Sequence, residues 1–412
     1  MIAKILNEKR QLIFNFGYMS MVQGLNIVIP LLVYPYLVNV LGLELYGTLV
    51  FAQVLVSYFS ILINYGFNID AVKHISLLIN KKEDLNHYIS AVISSKFLLW
   101  FFSLSILTIS CILINRDYLI LYLLTFLSTF NELIFPTWFF QGIEKMKYVT
   151  VINTISRLLY LLLIFLFIKS ESDYLLVPIM NGTSILVASF YGFYLMIYKE
   201  KIQLKLVSFQ YLLEVLSNAT PLFLSQAIIS IKDRTSQLII GVVLGMGEVA
   251  IFDLGMKISN VIIKLPVVIN QTIFPKVVKD KNMKFVMKIS NITFLILLII
   301  VSTLWYLTPF IITLFTDKNF DNAVIIIRIL MLSPIFLSYS TFFGNNCLLI
   351  FDKKKEYMNG MLFTTLFYLF LIVSAYLVGM INSILVISLI TVLVYLFEMI
   401  YRVYYSRKLK LI

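Results

Sequence analysis

Long, nearly unbroken apolar runs separated by short polar segments dominate this chain. The run FLLWFFSLSILTISCILI, from Phe97, shows none of the two-residue alternation that a transmembrane β-strand needs. Runs of this length predict membrane-crossing helices, because in lipid a segment must satisfy its own backbone hydrogen bonds. Helices are expected at 12–38, 48–68, 89–113, 118–140, 149–168 and 174–198. A second set is expected at 212–243, 249–273, 289–315, 323–347, 358–378 and 382–405. The run 212–243 is long and carries internal charges, so a split or a local break near Lys232-Asp233-Arg234 is one expectation there.

Composition agrees. Of 412 residues, 60% are hydrophobic and only 13% are Asp, Glu, Lys or Arg. A soluble domain carries roughly 25% charged residues, and a chain this apolar would have nothing to place against water. The net charge of +12 would suggest nucleic-acid binding in a soluble protein. Here the lysines and arginines sit in short segments between apolar runs, so topology explains them and no nucleic-acid partner is expected. The first apolar run, after Arg10, is too long for a signal-peptide core and reads as the first span. Cys111 and Cys347 both lie in apolar runs, with no disulfide framework.

With an even number of spans and a cytoplasmic N-terminus, 23 lysines and arginines fall on the cytoplasmic side. Only Arg116, Lys169 and Lys318 fall opposite. This is the asymmetry of the positive-inside rule. The fold class expected is an all-α polytopic membrane protein of about twelve spans, both termini cytoplasmic, in two six-helix bundles around a central cavity. The stretch VNVLGLELYGTLVFAQ, from Val38, resembles GVVLGMGEVAIFDL, from Gly241, and each lies between the first two spans of its half. The expected division is residues 1–205 and 206–412, related by a pseudo-two-fold axis along the membrane normal.

Ionisable residues at bilayer depth are costly and mark functional sites or internal partners. In the eighth span Asp253, Lys257, Asn260, Lys264 and Gln271 recur at helical spacing on one face. Gln53, Ser57, Ser60 and Asn64 form an uncharged counterpart in the second span. Such stripes suit either a wet cavity or interhelical hydrogen bonding in a packed bundle. Lys232, Asp233 and Arg234 are adjacent and cannot share one face, so Asp233 is expected to neutralise one neighbour. Arg157 has no acidic neighbour in sequence and needs either a partner in another helix or an anion. Glu398 and Arg402 have the spacing of an i,i+4 pair. Lys257, Lys264 and Arg157 together suggest a cavity for an anion. Eight prolines, in or beside the spans, are expected to kink them.

Several function classes are excluded. No Walker A motif occurs, and the loops are too short for an ATPase domain. His74 and His87 share one loop without a metal-ligand constellation. No outer loop is large enough for a glycan polymerase or acyltransferase site, and no cofactor is implied.

IPLLVYPYLVNVLGLELYG, from Ile29, resembles the opening helix and loop of the bacterial polysaccharide flippases. These belong to the multidrug/oligosaccharidyl-lipid/polysaccharide exporter superfamily. NYGFNIDAVKHIS from Asn64, FPTWFFQGIEKM from Phe135 and IIGVVLGMGEVAIFDLGMKI from Ile239 are similar to later parts of the family's pattern. The resemblance implies movement of undecaprenyl-diphosphate-linked oligosaccharide, such as O-antigen units, across the inner membrane. It implies a cavity whose cationic lining takes the diphosphate and glycan, with Arg157, Arg234, Asp253, Lys257, Asn260 and Lys264 as candidates. Membrane lipids, and the glycan polymerase and chain-length regulator of the same pathway, are the implied partners. Proton or sodium gradient coupling would fall to Glu132, Asp233 or Asp253. The alternative on the same scaffold is a cation-coupled drug or metabolite exporter, which should favour acidic cavity residues.

Overall fold

The computed structural model describes the backbone of residues 2–114, 116–315 and 321–411. Among the described residues every regular element is a helix. Ten helical stretches among them are long and apolar enough to cross a membrane. The first of these, Val28–Leu78, contains a break, because α1 (Ile2–Asn64) turns at Gly42, whose φ of 78° and ψ of 167° are non-helical. The eighth expected span is α10 (Met246–Asp280), which is helical throughout but not among the ten. Its apolar length is interrupted by Asp253, Lys257, Asn260 and Lys264. Asn115, Asp317 and Lys318 lie outside the described residues.

By contact the chain forms two units: Met1–Leu41 with Ala52–Ala227, and Gly42–Phe51 with Ile228–Ile412. The hairpin tip 42–51 thus belongs with the C-terminal helices, while the chain on either side of it belongs to the first unit. The repeated Leu-Gly motifs have a shared conformational cause. Gly42 and Gly245 both take positive φ, 78° and 110°, a region that costs an L side chain but not glycine. Each therefore ends one helix and opens the next. Gly47 is small for a different reason, since a Cβ there would lie 1.7 Å from the Met246 carbonyl oxygen.

In the first unit, α2 (Phe67–Leu78) packs on α6 (Thr137–Gly142), and α7 (Met146–Phe167) on α8 (Leu176–Tyr194). Phe67, Ile75, Trp138, Phe139 and Phe140 share a buried core there. The connection after α8 is held along α3 (Lys82–Ile114): the Gln203 amide donates to Asn86 Oδ1 at 3.2 Å and the Lys205 amide to Ser90 Oγ at 2.9 Å. In the second unit, α10 packs on α12 (Asp321–Leu330) and α13 (Ser333–Phe342). There α13 and α14 (Lys354–Leu377) also pack on α15 (Ile384–Lys408). Large apolar side chains such as Leu162, Phe370 and Val373 are exposed, while Lys96, Glu398 and Arg402 are buried. This inversion is what a lipid-facing surface dictates, and the chain is a multi-pass membrane protein.

Pro30 and Pro35 lie inside α1, Pro221 inside α9 (Phe209–Val243) and Pro309 inside α11 (Met283–Phe315), all without interruption. Contrary to the expected split or break, α9 runs unbroken through Lys232-Asp233-Arg234. Side chains that leave a continuous helix in different directions accommodate those charges without breaking its hydrogen bonds. The fourth expected span behaves oppositely: α4 (Leu119–Phe126), a 3₁₀ turn, α5 (Phe130–Ile134) and α6 follow one another, and Phe135-Pro136 separates α5 from α6.

Candidate functional site

The eighth-span stripe divides into a sealed end and an open end. Asp253 is buried on α10 and receives three donors. Tyr46 Oη donates to its Oδ2 at 3.0 Å, and Gln237 Nε2 to its Oδ1 at 3.2 Å. Lys257, one turn along, forms an ion pair with the same carboxylate. Lys257 Nζ also donates to Tyr46 Oη at 2.7 Å. The four side chains satisfy one another, which is the condition for burying charge at this depth. Further along, Asn260 and Gln271 are exposed. Lys264 is half-buried and has no ion pair or hydrogen bond among the described residues.

A second charged cluster joins α9, α13 and α15. Lys232 Nζ meets Glu398 Oε2 at 3.0 Å and Asp233 Oδ1 at 3.3 Å. Arg402 Nη2 meets Glu398 Oε1 at 2.8 Å, which is the i,i+4 pair the spacing predicts. Ser340 Oγ donates to Glu398 Oε1 at 2.8 Å, and Arg402 Nη1 donates to the Ser340 carbonyl at 2.9 Å. Tyr395 Oη donates to Asp233 Oδ1 at 3.2 Å. Two cations and two anions balance, so the cluster carries no net charge. Arg402 is buried here at 6% exposure. Arg234 lies on the exposed side of α9.

The first unit holds the other candidates. Arg157 sits at the middle of α7, half-buried, with no ion pair or hydrogen bond among the described residues. Lys96 is buried and donates at 2.9 Å to the main-chain carbonyl of Glu132, whose side chain accepts from Asn131 Nδ2 at 3.2 Å. The uncharged stripe of the second span has a local account. Ser57 and Ser60 donate to carbonyls of their own helix, and Asn64 Oδ1 accepts the Asn68 amide at 3.1 Å beside the start of α2.

Sequence reasoning missed Tyr46, Gln237, Ser340 and Tyr395 as partners of the buried charges. Tyr46 lies 207 positions from Asp253, and no local pattern joins them. Among these, Tyr46 carried the nearest thing to a signal, since it sits inside the Leu-Gly repeat. Apart from Lys96, which a main-chain carbonyl holds, the cations named here differ in whether a carboxylate meets them. Lys232, Lys257 and Arg402 are neutralised by carboxylates, whereas Arg157 and Lys264 are left able to meet an anion.

A helical membrane bundle with charged residues held inside its spans is the class of a polytopic membrane transporter fold. The chain belongs to the polysaccharide biosynthesis protein family, whose model matches residues 12–281. Two curated relatives each carry the name "Putative O-antigen transporter". One, from Escherichia coli (strain K12), is 29% identical over 360 residues, covering 83% of this chain and 85% of the relative. The other, from Shigella dysenteriae, is 26% identical over 348 residues, covering 83% and 87%. In fold the chain is similar to the lipid II flippase MurJ in an inward closed conformation, with a TM-score of 0.74 and 14% identity over 96% of this chain and 87% of that one. It is also similar to an inward-facing multidrug resistance MATE family transporter of the MOP superfamily, with a TM-score of 0.66 and 15% identity over 93% and 99%. The resemblance drawn from sequence motifs is borne out at the level of family and fold.

Proposed function

We propose that this protein is a lipid-linked glycan flippase. Its substrate is an undecaprenyl-diphosphate-linked oligosaccharide, carried from the cytoplasmic to the periplasmic leaflet of a bacterial inner membrane for O-antigen or similar surface polysaccharide. The observation that carries the reading is the pair of unneutralised cations, Arg157 in α7 and Lys264 in α10, at a depth where an unpartnered charge is expensive. An anionic diphosphate would supply what each lacks. Lysine suits a ligand that must also leave, as a mobile point charge, and arginine suits a planar, multi-donor contact with phosphate. In this reading Arg234 and Asn260, both exposed, meet the glycan or the headgroup as it moves. The polymerase and chain-length regulator that use the same glycan are proposed partners.

Deleting the gene should abolish display of one surface glycan and leave its lipid-linked units facing the cytoplasm. Arg157→Ala and Lys264→Ala should each lower glycan display several-fold while membrane insertion stays normal. Arg157→Lys and Lys264→Arg should retain more display than Arg157→Gln and Lys264→Gln. Intact surface glycans with raised drug sensitivity in the deletion strain would favour a drug exporter. Full display in both alanine variants would remove these two cations from the substrate path.

A further inference from the structure

Lys96 is 1% exposed, deep in α3, and no carboxylate pairs with it directly. Its ammonium donates at 2.9 Å to the main-chain carbonyl of Glu132 and sits 5.7 Å from the centre of the Trp138 ring. The Glu132 side chain acts on it electrostatically from nearby. The choice of acceptor has a cause in the sequence. In a continuous helix the carbonyl of residue 132 would accept from the amide of residue 136. Residue 136 is proline and has no amide hydrogen. Phe135, before it, is extended at φ −73° and ψ 112°, as the residue preceding a proline tends to be. The break therefore leaves a carbonyl without its helical donor, in a membrane segment where an unmet carbonyl is costly.

A second tie lies one turn away on α3. Trp100 Nε1 donates to Thr129 Oγ1 at 2.8 Å, just before α5. Lys96 and Trp100, four apart on α3, thus hold Thr129 and Glu132, three apart on the broken span. Beyond the break, Trp138, Phe139 and Phe140 fill the core of the first unit, so the angle fixed at Pro136 sets how α6 enters that core.

We propose that Lys96 is a tethered ammonium that substitutes for the amide Pro136 lacks, occupying a cation position at the end of the α5 half-helix which becomes a site for small alkylammonium ions once the lysine side chain is removed. The C-terminal end of a helix presents outward carbonyls and a negative partial charge, so a cation there is favoured twice. Because the cation is covalently supplied, the broken span needs none from solution. A soluble cation binding at Glu132 would have to compete with it. Lys96 is accordingly a positioning residue, distinct from the substrate-facing cations.

The test uses the full-length chain purified in detergent and read by thermal unfolding. Lys96→Ala removes the atoms of a propylammonium ion and should lower Tm by several degrees. Propylammonium or methylammonium should restore much of that loss, and tetramethylammonium, which has no N–H, should not at equal ionic strength. The wild-type Tm should respond to none of the three. Lys96→Met, which keeps the length of the side chain and fills the vacated space, should show the loss of Tm without the rescue. Absence of amine-specific rescue, or equal rescue of Lys96→Met, would overturn the proposal. Should Lys96→Ala fail to accumulate, recovery of folded protein on expression and solubilisation with propylammonium supports the proposal, and its continued absence overturns it.

Discussion

Tyr46 and Lys257, 211 positions apart, meet at 2.7 Å, and the same tyrosine hydroxyl donates to Asp253. One hydroxyl thus links a lysine and the aspartate paired with it, and ties the 42–51 hairpin tip to α10. An isolated ion pair one turn apart on a helix contributes only about 0.5 kcal/mol. Held against buried Tyr46, Gln237 and Asp253, the same pair is costly to break from the lysine side, which strands a buried carboxylate.

Tyr46→Phe should destabilise the protein by about 1.5–3 kcal/mol, because its hydroxyl bonds two charged groups, read as a lower Tm in detergent. Lys257→Ala should cost more, because it leaves Asp253 buried without its counter-charge. Joint replacement of Asp253 and Lys257 by Ala should recover much of the glycan display lost in Lys257→Ala. A double variant no better than the single one would show that Lys257 does something beyond pairing.

Glu398 holds Lys232 and Arg402 together, so Glu398→Gln leaves Arg402 buried without a carboxylate and Lys232 with Asp233 alone. A loss of about 3–5 kcal/mol is expected, the range for removing one member of a buried pair. The readout is the yield and Tm of monodisperse protein. Asp233→Asn should cost less, since its side chain is 39% exposed. Equal losses at the two positions would contradict the assignment of Glu398 as the centre of the cluster.

Orientation can be read directly. Reporter fusions at Lys81, Lys201, Lys281 and Lys354 should report cytoplasm, and fusions at Asn115 and Asp317 should report periplasm, following the lysine and arginine asymmetry. A cytoplasmic signal at Asn115 would reverse the topology from that point onward.

Energy coupling, if it comes from an ion gradient, meets a structural condition at Asp253. A proton or sodium ion reaching that carboxylate competes with Lys257 and Gln237 for it. Transport of lipid-linked glycan in vesicles should therefore fall when proton and sodium gradients are collapsed, and Asp253→Asn should blunt that dependence. Undiminished transport without either gradient would exclude coupling to both.

The apolar helices and the polar face of α10 were legible in the chain because each is local. Apolar length sets a membrane helix, the recurrence of Asp253, Lys257 and Lys264 sets one face of α10, and Leu-Gly marks two turns that only a positive φ can make. What remained hidden was which charges are neutralised. Lys257 and Lys264 look alike in sequence, seven residues apart on one helix, yet one is closed in by Asp253 and by Tyr46 from 211 positions away, and the other is left open. Lys96 reads as a stray charge until Pro136 is seen to strand the carbonyl it caps. Periodicity fixes where a side chain sits on its own helix. Whether a buried charge finds a partner depends on which distant segments the packed helices bring against it.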